Sequence, residues 1–371
     1  MEMEISELII NSKTMGESES WDFIEWKKYI TEVILEVYSQ GDFHNYIIDQ
    51  LICYCLPQFN ENRFIFKKNR TSLLNDRRQL QYLLSIPKGK AQKSEEWLSM
   101  RHNHINASEA GQIFSKSRNA ILLYKAKPFE FKNSSSNATD HGNRFEIIAQ
   151  NIYSKKIGKK IYNFESIEHP VHKFIAASPD GIDEDGDLLE IKCPITRDIK
   201  GVPKRDYWIQ TQLQMEVTNL NCCKFVECKF EEYQCIEFYN EDIERDFKGV
   251  ILQYHDNFQK KHIIYSEFNI VLDDLNKWIN DEKLKIIEQN NENTYIEIIY
   301  WYLSRYSCFE VYRDRKWFSE NLPIFQNFWD DVLKYRENGN LENIEVKTRK
   351  PKIIQEPIII NTCLLKDEDD Y

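Results

Sequence analysis

Two short stretches near the middle of the chain are largely apolar. They cover residues 171–178 and 188–193. The dipeptide Asp185-Gly186 lies between them and favours a tight turn. The pattern therefore predicts two strands that lead into and out of a turn region.

The strand after the turn carries charged residues at alternate positions. Glu190 and Lys192 are two residues apart, and residues at that spacing on a strand point to the same face. We expect them to project together, while Leu189 and Ile191 point the other way into a core. Asp180 follows the first strand, so its carboxylate can meet the two charged groups at one strand end.

Longer periodic segments predict helices on both sides of this centre. Residues 21–40 have apolar positions at helical spacing, and Gly41 ends the pattern. After the centre, residues 241–261 and 269–290 each predict a helix. A strongly aromatic segment at residues 298–339 is interpreted as a helical core.

Capping signals bring two polar side chains to helix positions that can bind an anion. Trp97 and Arg101 are four residues apart and share a helix face. Asn106 with Glu109 three positions later resembles a capping box, which places Ser108 in the first turn of the next helix. A hydroxyl and free N–H groups at a helix start can hold an anion. The alternative is that Ser108 supports its own helix and Arg101 is a solvated surface charge.

Two further helices carry polar residues that their apolar stripes do not explain. Glu146 lies outside the stripe of a helix predicted to begin near residues 140–143. Gln210 and Gln214 are four residues apart on a helix expected to be capped by Asp206. An ordinary exposed glutamate and solvent-facing glutamines are the alternative, and the residues alone leave both interpretations open.

Charge is unevenly distributed along the chain. The 371 residues carry a formal net charge of −11, but residues 61–160 hold 20 Lys and Arg against 8 Asp and Glu. Phosphate affinity comes from local cationic surface, whatever the total. This basic third is therefore suited to grip a nucleic-acid backbone, and a lysine-rich solvated face is the alternative.

Cysteine spacing and hydropathy narrow the class of protein. The nine cysteines follow no spacing of a secreted scaffold, which predicts a reducing, intracellular location. No apolar run reaches about 18 residues, so we expect no membrane span. The group Cys222, Cys223, Cys228 and Cys235 has no C-x2-C pair and lies in alternating segments. We interpret these cysteines as small core residues of a strand hairpin rather than as zinc ligands.

The central motif has a specific chemistry if its three charged groups meet. Carboxylate oxygens such as those of Asp180 and Glu190 are ligands that Mg²⁺ prefers. The metal makes a nucleophile from water, and an ammonium such as that of Lys192 orients the water or neutralises the transition state. Such a set suits metal-assisted cleavage of phosphodiester bonds. The alternative is an acidic hairpin with a salt bridge at a strand end.

Four blocks, in this order, resemble one family of nucleases. Pro179-Asp180 with Glu190-Ile191-Lys192 resembles the PD-(D/E)xK nuclease core. Three further blocks are similar to lambda-type phage exonucleases and the related YqaJ-type viral recombinases. They are EEWLSMRHNHINASEAGQIF and HGNRFEIIAQNIY upstream and DYWIQTQLQMEVTN downstream. Together the blocks span residues 94–219.

The resemblance implies a fold and an activity. The fold is an α/β restriction-endonuclease-like core, a central mixed sheet flanked by helices, with helical N- and C-terminal extensions. The activity is that of a Mg²⁺-dependent DNA exonuclease, with Mn²⁺ as a substitute metal. It would degrade one strand of linear duplex DNA from a 5′ end for viral recombination or genome processing. Double-stranded DNA ends are then the substrate, and a single-strand annealing protein and further copies of the chain are candidate partners.

The same resemblance implies roles for individual residues. Asp180 and Glu190 bind the metal together with the carbonyl of Ile191. Lys192 positions or activates water, and Glu146 completes the metal site. The residues expected to hold the terminal phosphate are Arg101, Ser108, Ser178 and Gln210.

The sequence divides into three regions and leaves two alternative functions. Residues 1–90 are expected to form a helical extension, 91–262 the nuclease core, and 263–371 a helical, aromatic region with an acidic tail. A structure-specific endonuclease on the same core is one alternative, because these site residues do not determine whether a DNA end is needed. A non-catalytic DNA-binding scaffold is the other, although an intact set of charged site residues argues against it.

Overall fold

The fold is known for most of the chain from residue 70 onward. A computed structural model describes residues 28–34, 70–87, 94–131, 136–290 and 294–346. Residues 28–34 are helical. The other helices are α1 Arg70–Ser85, α2 Glu95–His102, α3 Ala107–Ala110, α4 Arg118–Ala126, α5 Asn137–Ile157, α6 Arg205–Thr218, α7 Ile236–Glu241, α8 Leu272–Gln289 and α9 Arg315–Asn338, with 3-10 turns at Gly111–Phe114 and Leu341–Asn343. The strands are β1 Ile105–Asn106, β2 Ile161–Tyr162, β3 Ile167–Glu168, β4 Ile175–Ala177, β5 Gly181–Asp183, β6 Leu188–Lys192, β7 Cys222–Glu232, β8 Lys248–His255, β9 Lys261–Tyr265 and β10 Ile296–Tyr312.

Two sheets organise these elements. The large sheet has seven strands in the order β2-β5-β6-β7-β10-β8-β9. Within it β6 and β7 run parallel, and the other neighbouring pairs are antiparallel. The small sheet has the order β1-β4-β3, with β1 parallel to β4. The chain leaves the small sheet after β4 and enters the large one at β5, so residues 178–180 connect the two.

Apolar layers on both faces of the large sheet hold the helices in place. On one face, α5 buries Phe145 in the same cluster as Leu189 and Ile191 of β6. On the other face, α6 and α9 bury residues such as Leu213 and Phe328. The expected α/β class, a central mixed sheet flanked by helices, is confirmed. So is the prediction that Leu189 and Ile191 point into a core.

The aromatic segment near the C-terminus differs from its prediction. Its first part is β10, a 17-residue strand that lies between β7 and β8 in the large sheet. The expected helical region from residue 263 onward is therefore wrong for β10, and is confirmed for α8 and α9. Trp301 and Phe309 of β10 are buried in layers on opposite faces. The register of β10 shifts between Leu303 and Arg305, so the buried positions change face along the strand and its sequence does not keep a single strand period.

Residues 241–261 also form a strand where a helix was predicted. They contain β8, whose Val250, Ile251 and Leu252 are all fully buried. A short, continuous apolar run cannot be assigned to helix or strand by its period alone. β8 precedes residue 262 and β10 follows it, and the two are neighbours in the large sheet. The sheet therefore continues past residue 262, where the nuclease core was expected to end.

The cysteine segments agree with the prediction in β7 and differ after it. Cys222, Cys223 and Cys228 are buried in β7 as small core residues. Cys235, expected in the second strand of a hairpin, instead precedes helix α7. Its neighbours Ile236 and Tyr239 pack in a cluster with β8 and α8, a contact that the local alternation does not reveal.

Several element boundaries differ from those predicted. α5 begins at Asn137 with Ser136 as its N-cap, three residues or more before the start predicted near residues 140–143. Lys204 is the N-cap of α6, and Asp206 lies in its first turn. β4 covers three residues of the strand predicted at 171–178, and β5 pairs with β6 across the expected turn.

Parts of three predictions fall beyond the structure. The helix predicted at residues 21–40 is described at 28–34, where it is confirmed, and the rest lies outside the described residues. The acidic tail and part of the basic third also lie outside them. Within the described ranges, no helix is both long enough and apolar enough to cross a membrane.

Candidate active site

Asp180 lies where the chain enters the large sheet, and its polar atoms are held from several sides. Its N–H donates to the carbonyl of Leu189 at 3.1 Å, and its carbonyl accepts from Nε2 of Gln150 at 2.7 Å. Its side-chain Oδ2 accepts from the N–H of Ile191 at 2.7 Å. Among the described residues nothing donates to Oδ1, so one oxygen of a fixed carboxylate is available to a ligand.

Glu190 projects from β6 into a buried polar environment made by α6. The residue is 1% exposed. Its Oε1 accepts from Nε2 of Gln210 at 2.6 Å and from the ammonium of Lys192. Its Oε2 accepts from Nε2 of Gln214 at 2.6 Å. The predicted projection of Glu190 and Lys192 to one face is confirmed, and two amides fix the carboxylate.

Three carboxylates interact electrostatically at this end of the sheet. Burial raises the pKa of Asp180 well above its usual range, and the charges of Glu190 and Glu146 raise it further. Burial acts to lower the pKa of Lys192, but the charges of Glu190 and Asp180 outweigh it and raise that pKa. The site therefore carries more negative than positive charge, a condition that favours a cation.

The donor atoms suit a hard metal ion. The N–H of Ile191 faces Asp180, and in an antiparallel pair the N–H and C=O of one residue face the same neighbour, so the Ile191 carbonyl lies on this side. Within the described ranges, no three His, Cys, Asp or Glu side chains are grouped so that they could hold one metal ion. Mg²⁺ usually binds through one or two carboxylates and keeps several waters. Asp180 and Glu190 meet that requirement.

Arg101 and Ser108 are brought together as a pair. Ser108 lies in the first turn of α3, after a capping box formed by Asn106 and Glu109, as predicted. Nη2 of Arg101 donates to Oγ of Ser108 at 2.9 Å. The guanidinium also lies 4.7 Å from the centre of the Trp97 ring, so the expected shared helix face is confirmed.

The parallel pairing of β1 with β4 relates Ser108 to Ser178. Asn106 is opposite Ala176 in the register, and each serine follows its strand residue by two positions. The two serines therefore leave the same edge of the small sheet. Oγ of Ser178 is buried and has no hydrogen-bond partner among the described residues. It precedes Asp180 by two residues, on the connection between the two sheets.

Gln210 has a contact that the sequence did not suggest. It was expected at the terminal phosphate, and in the structure its amide is buried against the carboxylate of Glu190. Its contact with phosphate stays a prediction. Gln214, one helical turn later, was not assigned a role and holds the other oxygen of Glu190. The four-residue spacing of the two glutamines was the signal for a shared face.

Gln150 is a second residue that sequence reasoning missed. It lies one helical turn after Glu146 on α5 and is 9% exposed. Its Nε2 donates to the backbone of Asp180 and to Oδ1 of Asn163 at 2.6 Å. Gln150 therefore holds the backbone of Asp180 in position. Its place four residues after Glu146 was the only sequence signal for this contact.

Two clefts meet beside Glu146. The larger, about 1410 Å³, is lined by Pro179 and Asp180 among other residues. The smaller, about 770 Å³, is lined by residues that include Ile191 and Lys192. Glu146 lines both. Asp180 thus faces the larger cleft and Lys192 the smaller one, while Glu190 is buried behind them.

One family model matches the segment of the chain that contains all of these site residues. The model of the YqaJ-like viral recombinase domain matches residues 96–221. The match extends from α2 to the residue before β7 and includes every candidate site residue described above. The resemblance inferred from the four sequence blocks is confirmed.

The chain is also similar to a viral protein and to two solved exonuclease structures. An uncharacterized protein of Acanthamoeba polyphaga mimivirus is 29% identical over 325 residues, and the match covers 74% of this chain and 58% of that protein. The chain therefore spans less than two thirds of the length of that relative. An alkaline exonuclease from Laribacter hongkongensis superposes with a TM-score of 0.42 at 20% identity, over 67% of this chain and 97% of its own. A phage related exonuclease from Haemophilus somnus superposes with a TM-score of 0.34 at 18% identity, over 72% and 94%.

Proposed function

We propose that the chain is a Mg²⁺-dependent DNA exonuclease that hydrolyses linear duplex DNA from 5′ ends. The observation that supports this proposal most directly is the environment of Asp180. Its Oδ1 is available at a cleft while its other polar atoms are held, and it lies beside the buried carboxylate of Glu190. The YqaJ-like domain supports the assignment to nucleases. Viral recombination or genome processing is the proposed setting.

Asp180, Glu190 and the carbonyl of Ile191 would hold the metal ion. When bound, Mg²⁺ supplies positive charge that stabilises the phosphate in the transition state and makes a nucleophile from water. Mn²⁺ accepts the same oxygen ligands and can substitute for it. Glu146 lies close enough to Asp180 to raise its pKa, which supports a place for Glu146 at the edge of the metal site.

The remaining polar groups keep this arrangement in place before the substrate arrives. Gln210 and Gln214 hold both oxygens of Glu190, so the carboxylate needs little reorganisation during the reaction. The ammonium of Lys192 is hydrogen-bonded to Glu190 and lines the smaller cleft. From there it would orient the attacking water or neutralise charge that develops on the phosphate.

Arg101, Ser108 and Ser178 are proposed to select the DNA end by binding its terminal phosphate. A guanidinium can hold a terminal phosphate through two hydrogen bonds. The unpaired hydroxyl of Ser178 could donate to the same anion, since it leaves the small sheet at the same edge as Ser108. A 5′-phosphorylated end should therefore be degraded faster than a 5′-hydroxyl end.

Digestion of one labelled duplex in three forms tests the proposal. The duplex is supplied with 5′-phosphate ends, with 5′-hydroxyl ends and as a closed circle, each with Mg²⁺, with Mn²⁺ and with EDTA. We expect loss of the 5′ label from the linear forms, fastest with 5′-phosphate, and no loss with EDTA. The circle should stay intact.

The other outcomes separate the alternatives. Cutting of the circle at a rate similar to the linear form would show an endonuclease. Survival of all three forms in both metals, with DNA still bound, would show a non-catalytic scaffold. Release of label from 3′ ends alone would contradict the proposed polarity.

A further inference from the structure

The connection between β6 and α6 is a basic segment beside the metal site. Residues 193–204 contain Arg197, Lys200 and Lys204, against Asp198 as the one acidic residue. This segment lies outside the basic third at residues 61–160. Its charge therefore needs an explanation of its own.

The ring of Tyr207, in the first turn of α6, gathers cations from this connection and from the active site. Nζ of Lys204 lies 4.4 Å from the ring centre, and Cζ of Arg197 lies 5.6 Å from it. Nζ of Lys192 lies 5.0 Å away. One aromatic ring attracts each cation weakly, while the three like charges repel one another. A bound anion would relieve that repulsion.

The three cations differ in how they are neutralised. Arg197 forms an ion pair of 2.5 Å with buried Glu227, and Lys192 pairs with Glu190. Among the described residues no carboxylate pairs with Lys204, which is exposed. One positive charge of the group is therefore left for a ligand from solution.

The smaller cleft leads from the metal site to this group. Lys192, Arg197 and Tyr207 line it on one side, and Thr139 near the start of α5 lines it on another. Glu146 lines it where it meets the larger cleft. A DNA strand with its scissile phosphate at Asp180 would thus have its neighbouring phosphates within reach of the smaller cleft.

We infer that Arg197, Lys204 and Tyr207 form a second phosphate site, for a backbone phosphate of the cut strand on the Lys192 side of the metal site. The inference rests on the proposed function. A phosphodiester is an anion that a guanidinium and an ammonium bind together, and the Tyr207 ring offers an apolar face to the sugar or base. This site holds the strand by its backbone and does not depend on the terminal phosphate.

Binding measured without cleavage tests the site. In a Glu190→Gln background with Ca²⁺, Lys204→Gln should weaken binding of a linear duplex about fivefold, the scale of one exposed ion pair. The dependence of log K on log salt should become shallower by about 0.7 to 0.9, the contribution of one phosphate contact. Lys277→Gln, which changes an exposed lysine on α8, is the matched control and should have neither effect.

Neutral phosphates then locate the contact. A methylphosphonate is placed at successive positions along the strand that is cut. At one or two neighbouring positions, the methylphosphonate should weaken DNA binding by the parent protein. It should not weaken binding by the Lys204→Gln variant any further, because both changes remove the same interaction. Tyr207→Leu should reduce the effect at the same positions. Thermal unfolding of each variant confirms that it is folded.

Two results would overturn the inference. One is a Lys204→Gln variant that binds DNA like Lys277→Gln. The other is additive losses from Lys204→Gln and methylphosphonate at every position. Failure of the proposed function looks different, because the wild-type chain would then leave linear DNA uncut in Mg²⁺. Normal cutting with no effect of Lys204→Gln contradicts the second phosphate site alone.

Discussion

At the scale of single residues, the proposed metal ligands can be told apart from the groups that position them. Asp180 and Glu190 present carboxylates. Gln210 and Gln214 hold the carboxylate of Glu190, and Gln150 holds the backbone carbonyl of Asp180, each through a single hydrogen bond of 2.6–2.7 Å. Replacing a carboxylate by its amide removes a hard anionic ligand and changes little of the shape. Replacing a glutamine by leucine keeps the ligand but releases it from its partner. The two kinds of substitution should therefore affect the enzyme differently.

The carboxylates should be needed for the chemical step and not for DNA binding. We expect Asp180→Asn and Glu190→Gln to abolish cleavage in Mg²⁺ with DNA affinity largely retained, because each removes one metal ligand. Lys192→Ala should slow the single-turnover rate by roughly 10²-fold or more, the scale for loss of a positioned electrostatic group. Single-turnover digestion and filter binding measure the two effects. Near wild-type digestion by Glu190→Gln would show that the site assignment is wrong.

Gln214 and Gln212 provide a matched pair on α6. Gln214 holds Glu190, whereas Gln212 bonds the carbonyl of Tyr312 and the N–H of Asp314 away from the site. Gln214→Leu should raise the Mg²⁺ concentration for half-maximal cleavage about 10-fold or more, the scale for groups that orient metal ligands. Gln212→Leu should lower the free energy of unfolding and leave that concentration unchanged. Calorimetric Mg²⁺ binding without DNA is the second readout. If both variants needed the same Mg²⁺ concentration for half-maximal cleavage, Gln214 would be a packing residue only.

The charged residues of the site could be predicted from the sequence more readily than the glutamines that hold them. Glu190 and Lys192 were predicted to share a face because the strand period determines direction over two residues. The contacts of Gln150 and Gln214 depend on how α5 and α6 pack on the sheet. A glutamine on a helix has the same local pattern whether it meets solvent or a buried carboxylate, so the pattern does not identify its partner.

At the scale of elements, the predictions succeeded where one face of an element is polar. α8 has a polar face and was predicted with nearly its observed bounds, and the turn at Asp185-Gly186 joins β5 to β6. β8 is buried on both faces, and β10 shifts its register between Leu303 and Arg305, so neither keeps the period that identifies a strand. These two strands were therefore the part of the fold that the sequence could not identify.

Contact between β8 and β10 can be tested at Gly249. A Cβ added there would lie 2.8 Å from Cζ2 of Trp301, a side chain that is 1% exposed and cannot move into solvent. Gly249→Ala should lower the free energy of unfolding by about 1–3 kcal/mol, the usual cost of overpacking. Gly142→Ala on α5 meets nothing within 4 Å and should raise it by about 0.5–1 kcal/mol. Urea unfolding measures both. Stabilisation by Gly249→Ala would contradict the packing of Trp301 on β8.

At the scale of the whole molecule, charge is divided between regions of opposite sign. The total is −11, but residues 61–160 carry an excess of Lys and Arg, and the connection at 193–204 adds a second basic segment. Acidic residues concentrate elsewhere. Long-range repulsion of DNA is screened over about 10 Å at 0.1 M salt, so the local cationic surface determines binding. The proposed DNA contacts can therefore lie in these two segments in spite of the negative total.

This division predicts a steep salt dependence of DNA affinity despite the negative total. Each phosphate contact on duplex DNA contributes about −0.9 to the slope of log K against log salt. Neutralising Lys67, Lys68 and Arg70 together, in a Glu190→Gln background, should flatten the slope by up to about three contacts because three cations of the basic third are lost. The control neutralises Lys277, Lys316 and Lys334 on α8 and α9, outside both basic segments, and should leave the slope unchanged. In the cleaving parent, the first triple change should alter the rate and not the products. An affinity that does not change between low and moderate salt, or equal slopes for the two triple variants, would show that the basic third is a solvated surface that does not grip the DNA backbone.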